Sequence, residues 1–204
     1  MIMGNERMVQ PDSLHQPGGL ITIVSGLPRS GTSMMMAMLD AGGMPLLIDE
    51  ARPADDDNPR GYFEYAPVKQ LRMDKAWVGE ACGKAVKVIS WLLEDLPHTY
   101  PYRVVFMRRA LPEVLASQRA MLTRQGKPPG DNAQMTELFE KHLRHLSVWL
   151  TRQPHMLVLE VEHRLAIEQP HGTAQAVNEF LGGGLDTAAM AEVVDHALYR
   201  QGRR

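Results

Sequence analysis

Eight residues near the amino terminus, Gly26-Leu27-Pro28-Arg29-Ser30-Gly31-Thr32-Ser33, bring two glycines, a guanidinium and three hydroxyls into one short stretch. Glycines let backbone approach an anion closely, hydroxyls and N–H groups donate to its oxygens, and a guanidinium balances its charge. That chemistry is phosphate binding. The spacing is that of a P-loop, but Thr32 stands where a nucleoside-triphosphate site has the lysine that reaches the β- and γ-phosphates. The loop therefore suits a terminal 5′-phosphate held without magnesium-triphosphate machinery, and argues against an ATPase or kinase. A tight strand-to-helix connection with no ligand is the competing reading of the same glycines.

Such a loop needs a strand to deliver it and a helix to follow it, because the orphan N–H groups and positive end of a helix complete the anion site. Leu20 to Val24 is a short β-branched apolar run, predicted as the first strand, and Thr32 to Ala41 is predicted as a helix stopped by Gly42-Gly43. Further strands are predicted at Ala85 to Ile89, Arg103 to Met107 and His155 to Val161, with helices at Tyr65 to Ala81, Leu111 to Arg124, Met135 to Arg152 and Gly172 to Leu181. Strands alternating with helices predict an α/β fold: a single domain with a central parallel sheet and helices on both faces.

The bulk properties fit one globular domain over residues 20–204, preceded by a polar lead-in of residues 1–19. A net charge of −2 gives no general attraction to nucleic acid or anionic membrane, so anion binding must be local. No apolar stretch is long enough to span a bilayer, and the single cysteine, Cys82, suits a reducing, cytoplasmic compartment. The eight histidines have no metal-ligand spacing with acids, so no metal site is expected.

Pro28-Arg29-Ser30-Gly31-Thr32, continuing through Ala37-Met38-Leu39-Asp40-Ala41, resembles the 5′-phosphosulfate loop of sulfotransferases that use 3′-phosphoadenosine-5′-phosphosulfate (PAPS), chiefly the tyrosylprotein and bacterial branches. By that resemblance Pro28, Arg29, Ser30, Gly31, Thr32 and Ser33 bind the cofactor, and Arg29 also stabilises charge on the bridging oxygen. Arg109, at the end of the third strand, and Ser117, eight positions later, resemble the family's second signature. There a guanidinium fork and a hydroxyl recognise the 3′-phosphate, the group that sets PAPS apart from ordinary adenosine nucleotides. Arg109 capping a helix or pairing with Glu113 is the alternative. Leu198-Tyr199-Arg200-Gln201 resembles the tails of short bacterial members, which makes Arg200 a candidate second clamp on the 3′-phosphate.

For the chemistry, Lys87 corresponds to the lysine of the family's K-T-H-L-P segment, but Ile89 occupies the place of the catalytic histidine. Another base is expected. Glu50 lies 21 positions after Arg29, the spacing of the glutamate in tyrosylprotein sulfotransferases. Glu64, in Asn58-Pro59-Arg60-Gly61-Tyr62-Phe63-Glu64, is the rival. The resemblance implies sulfuryl transfer from PAPS to a small-molecule or glycan acceptor, with PAP (3′-phosphoadenosine-5′-phosphate) as product and no metal, nucleic-acid or membrane partner. A regulatory protein that binds PAP or PAPS without turnover, and an atypical P-loop kinase, are the alternatives.

Overall fold

β1 (Ile21–Gly26) is buried along its whole length, which a parallel strand achieves only with a neighbour at each edge and cover on each face. The computed structural model describes residues 19–49, 61–128 and 130–195. Within them β1 pairs with β2 (Ala85–Lys87) and β3 (Tyr102–Arg108), and β3 pairs with β4 (Met156–Glu162), giving the order β2-β1-β3-β4 with all pairs parallel. Ile23 faces Val86 on one side and Val104 on the other.

The connections are α1 (Thr32–Ala41) after β1, α2 (Leu111–Arg124) and α3 (Asn132–Leu150) between β3 and β4, and α4 (His163–Glu168), α5 (Pro170–Phe180) and α6 (Thr187–Glu192) after β4. Three 3-10 segments, Ala66–Gln70, Ala76–Ala81 and Ser90–Asp95, flank β2. Side chains alternate between the two faces of the sheet. Ile21, Ile23, Val86, Val104 and Phe106 enter one core, closed by the 3-10 segments and α3 through Trp77, Leu93 and Leu146. Val24, Val105, Met107 and Val161 enter the other, closed by α1, α4, α5 and α6 through Met36, Ile167, Val177 and Met190. The methionines Met35, Met36 and Met38 are fully buried, which suits unbranched side chains filling an irregular core.

The strands and major helices lie close to their predicted positions, and the departures have local causes. Tyr65 to Ala81 is two 3-10 segments rather than one helix, because the Asp74 carboxylate accepts the Ala76 N–H at 2.9 Å and closes a turn between them. α3 starts three residues earlier than predicted, where Asp131 caps the N–H groups of Ala133 and Gln134. α6 was not expected, and Asp186 caps it in the same manner. α4, also not expected, follows β4 without a loop.

Strand order places the site. From β1 the chain crosses to β2 on one side, and from β3 it crosses to β4 on the other. The crevice between the carboxyl ends of β1 and β3 is thus the switch point, where α/β sheets hold ligands.

Candidate functional site

The loop leaving β1 is a tight turn with strain in it. Ser30 N–H donates to the Leu27 carbonyl at 3.1 Å, with Pro28 at the second position and Arg29 at the third. Arg29 has φ of 70°, a left-handed conformation usually left to glycine. A non-glycine residue held there costs free energy that the surrounding contacts offset. Gly31, φ 100°, then caps α1, and no side chain could replace its hydrogen, since a Cβ would sit 2.4 Å from Cδ2 of His163. Gly26 is equally closed, by Ser30 Oγ at 2.4 Å and the Met107 carbonyl at 2.7 Å from such a Cβ. Thr32 and Ser33 open α1, whose first-turn N–H groups have no partner within the helix.

The second group arrives from β3 and α2. Arg29 Nε donates to Ser117 Oγ at 3.0 Å, and Arg109 Nη1 donates to the Arg29 carbonyl at 3.0 Å. The two candidate motifs, distant in sequence, are therefore one constellation. Arg109 also makes the ion pair with Glu113 that was its alternative reading, Nε to Oε2 at 3.0 Å. Its neighbour Arg108 points elsewhere, toward Glu160 at 3.9 Å.

The third group lies on the β2 side. Lys87 is only 9% exposed, so its ammonium lies inside the fold. Its ammonium donates to the Tyr62 carbonyl and to Ser33 Oγ at 3.4 Å, and pairs with Glu64 Oε1 at 3.8 Å. Glu64 has a second cation in Lys69, at 3.3 Å. The Asp49 N–H donates to the Glu64 carbonyl at 2.9 Å. Glu50 itself, like Arg200, lies outside the described residues. Lys87, Glu64 and Ser33 thus converge at the amino end of α1, and Arg29, Arg109 and Ser117 converge over β3.

A cleft of about 800 Å³ adjoins the loop, lined among others by Leu27, Ser30, Phe106, Arg109, Leu143 and Arg144. That is within the usual size of ligand sites. Among the described residues no group of three or more His, Cys, Asp or Glu is placed to hold a metal. No described helix is long and apolar enough to cross a membrane.

Sequence reasoning missed His163. It is the first residue after β4, and the rule that ligands gather at carboxyl ends of parallel strands would have flagged it. Its ring backs Gly31, and burial, followed by the positive charge of Arg109, pushes its imidazole down to about 3 from 6.5. A neutral ring suits a site already rich in cations. Between those values the unfolded chain binds a proton that the folded chain does not, so stability is lost as pH falls through that window. His163→Gln should flatten the acid side of the stability curve by up to about 1.4 kcal/mol per pH unit. Urea unfolding of both proteins across the window measures this, and identical slopes would mean that the ring charges freely in the fold.

No family model and no curated protein matches the sequence. Solved structures do. The sulfotransferase domain from the curacin biosynthetic pathway matches with a TM-score of 0.52 at 13% identity, covering 91% of this chain and 83% of that one. The sulfotransferase domain from the Synechococcus PCC 7002 olefin synthase matches with a TM-score of 0.55 at 14% identity, covering 93% and 88%. At such identities the likeness is one of architecture, and on that ground this chain has the sulfotransferase fold.

Proposed function

We propose that the protein transfers the sulfuryl group of PAPS to a hydroxyl or amine of a small-molecule or glycan acceptor and releases PAP. The observation that carries the reading is the contact of Arg29 with Ser117 and Arg109, 3.0 Å in each case, at the β1/β3 crevice. Two guanidinium groups and a hydroxyl, beside a helix start, suit a ligand with two separate phosphates better than a mononucleotide. Thr32 in place of a P-loop lysine speaks against triphosphate chemistry.

In this reading the loop residues 28–33 bind the 5′-phosphosulfate, and Arg109 with Ser117 bind the 3′-phosphate. As the acceptor oxygen forms its bond to sulfur, the bond from sulfur to the bridging oxygen breaks, and that electron pair stays on the 5′-phosphate. Arg29 and Lys87 meet the growing charge, as preorganised cations do in phosphoryl transfer. Glu64, beside Lys87, takes the acceptor proton. Its placement in the cluster favours it over Glu50, for which the spacing from Arg29 remains the only argument. Arg200 would add a cation to the 3′-phosphate.

PAP should raise the melting temperature more than AMP or ATP, since a ligand that binds only the folded state stabilises it by mass action. Equal shifts with PAP and AMP would remove the 3′-phosphate site. PAP binding without transfer from labelled PAPS to any fraction of a lysate would point to a regulatory protein, and magnesium-dependent ATP hydrolysis to a kinase.

A further inference from the structure

Ser90 opens the 3-10 segment three residues after Lys87, and its side chain is fully buried. Its hydroxyl lies 2.9 Å from Nε2 of His142, which comes from α3, beyond β3 and α2 in the chain. The His142 ring is stacked flat on Trp91, with centroids 4.1 Å apart and planes 6° from parallel. Trp91 stands edge-on to Phe139 at 5.4 Å, and both pack around Leu27 of the phosphate loop and around Val114 and Leu115 of α2, the helix that carries Ser117.

One imidazole therefore touches both halves of the site wall. Its polar edge meets the Ser90 side chain, on the segment that continues from Lys87, and its flat face stacks on Trp91, which packs against the apolar cluster that contains Leu27. We propose that His142 is a positioning residue for sulfuryl transfer, setting Lys87 relative to the phosphate loop through Ser90 and Trp91. The proposal rests on the function inferred above. Burial lowers the proton affinity of His142, opposed by Glu94 and assisted by His145, which keeps a ring nitrogen open to the Ser90 hydroxyl. Transfer rates respond steeply to such placement, since a shift of about 1 Å at the reacting groups costs up to about 10²-fold. Binding of the product, which has no sulfuryl group for Lys87 to meet, responds little.

The test compares wild type with His142→Ala, His142→Gln, Ser90→Ala and the double variant His142→Ala/Ser90→Ala. Two quantities are read: PAP release from PAPS with water as acceptor, and the Kd of PAP by calorimetry. We expect His142→Ala to lower kcat about tenfold while the Kd of PAP stays within about twofold. His142→Gln, whose amide reaches the place of Nε2, should recover most of the rate. Ser90→Ala should reproduce the loss, and the double variant should lose no more than the worse single one. Should His142→Ala fail to fold, the Gln and Ser90 variants still decide. Unchanged kcat in them, or kcat, Kd and melting temperature worsening together with no recovery in His142→Gln, overturns the proposal. A wild type that neither binds PAP nor releases it from PAPS overturns the functional reading, and this proposal with it; an active wild type with indifferent His142 and Ser90 variants overturns this proposal alone.

Discussion

Arg29→Ala is expected to lower kcat/KM for PAPS by about 10²- to 10³-fold, the loss typical of removing one member of a partly buried charged contact. Its guanidinium joins the two candidate motifs, lying in the β1 loop and donating to Ser117 of α2 at 3.0 Å. Alanine would remove the charge but keep the left-handed strain at φ 70°, which costs a non-glycine residue about 1 to 2 kcal/mol. Arg29→Gly separates the two effects. It removes the guanidinium and relieves the strain, so it should be as inactive as Arg29→Ala while being at least as stable. Steady-state PAP release and thermal unfolding measure the pair. A glycine variant with near wild-type turnover would assign Arg29 to loop shape alone. The same geometry alters what Arg109→Ala should do. Because Arg109 donates to the Arg29 carbonyl, that variant should weaken PAP most and AMP measurably as well, instead of sparing AMP as two independent subsites would.

The second large effect is expected at Lys87 and Glu64. Lys87→Met should lower kcat by about 10²- to 10³-fold, the range for deleting a preorganised donor at developing charge. Its ammonium is already held by the Tyr62 carbonyl, Ser33 and Glu64, so it needs no rearrangement during transfer. Methionine keeps the length and apolar stem and discards the charge, and Glu64 retains Lys69 at 3.3 Å, so no carboxylate is stranded. Glu64→Gln should lower kcat by about 10²- to 10⁴-fold with PAP affinity unchanged, and Glu50→Gln much less. An acceptor hydroxyl of high pKa is the right substrate, because an acceptor already ionised needs no base. If Glu50→Gln is instead the inactive variant, the base lies in the segment beyond Asp49 and Glu64 serves only to hold Lys87.

The α/β class, the parallel sheet and the strand-to-helix turn after the first strand were legible from residues alone, and the reason is that each is a local property. Buried strands such as Ile21–Gly26 and Tyr102–Arg108 appear as β-branched runs, and a loop that wraps an anion through its own backbone needs its glycines and hydroxyls within eight consecutive positions. Segments whose ends depend on one side-chain cap were read less well. Asp131 and Asp186 each cap a helix start and Asp74 closes a turn, yet an aspartate in a polar stretch looks the same whether or not it caps.

What only the tertiary structure decided is which distant groups share the site. Arg29 meets Ser117 across 88 positions because β1 and β3 are neighbours, and strand order is set by how the whole sheet packs. His163 reaches Gly31 because β4 ends beside that crevice. The choice of Glu64 as partner of Lys87 rests on a fold-back whose key contact is the backbone carbonyl of Tyr62, a group that every residue possesses and that no residue type encodes.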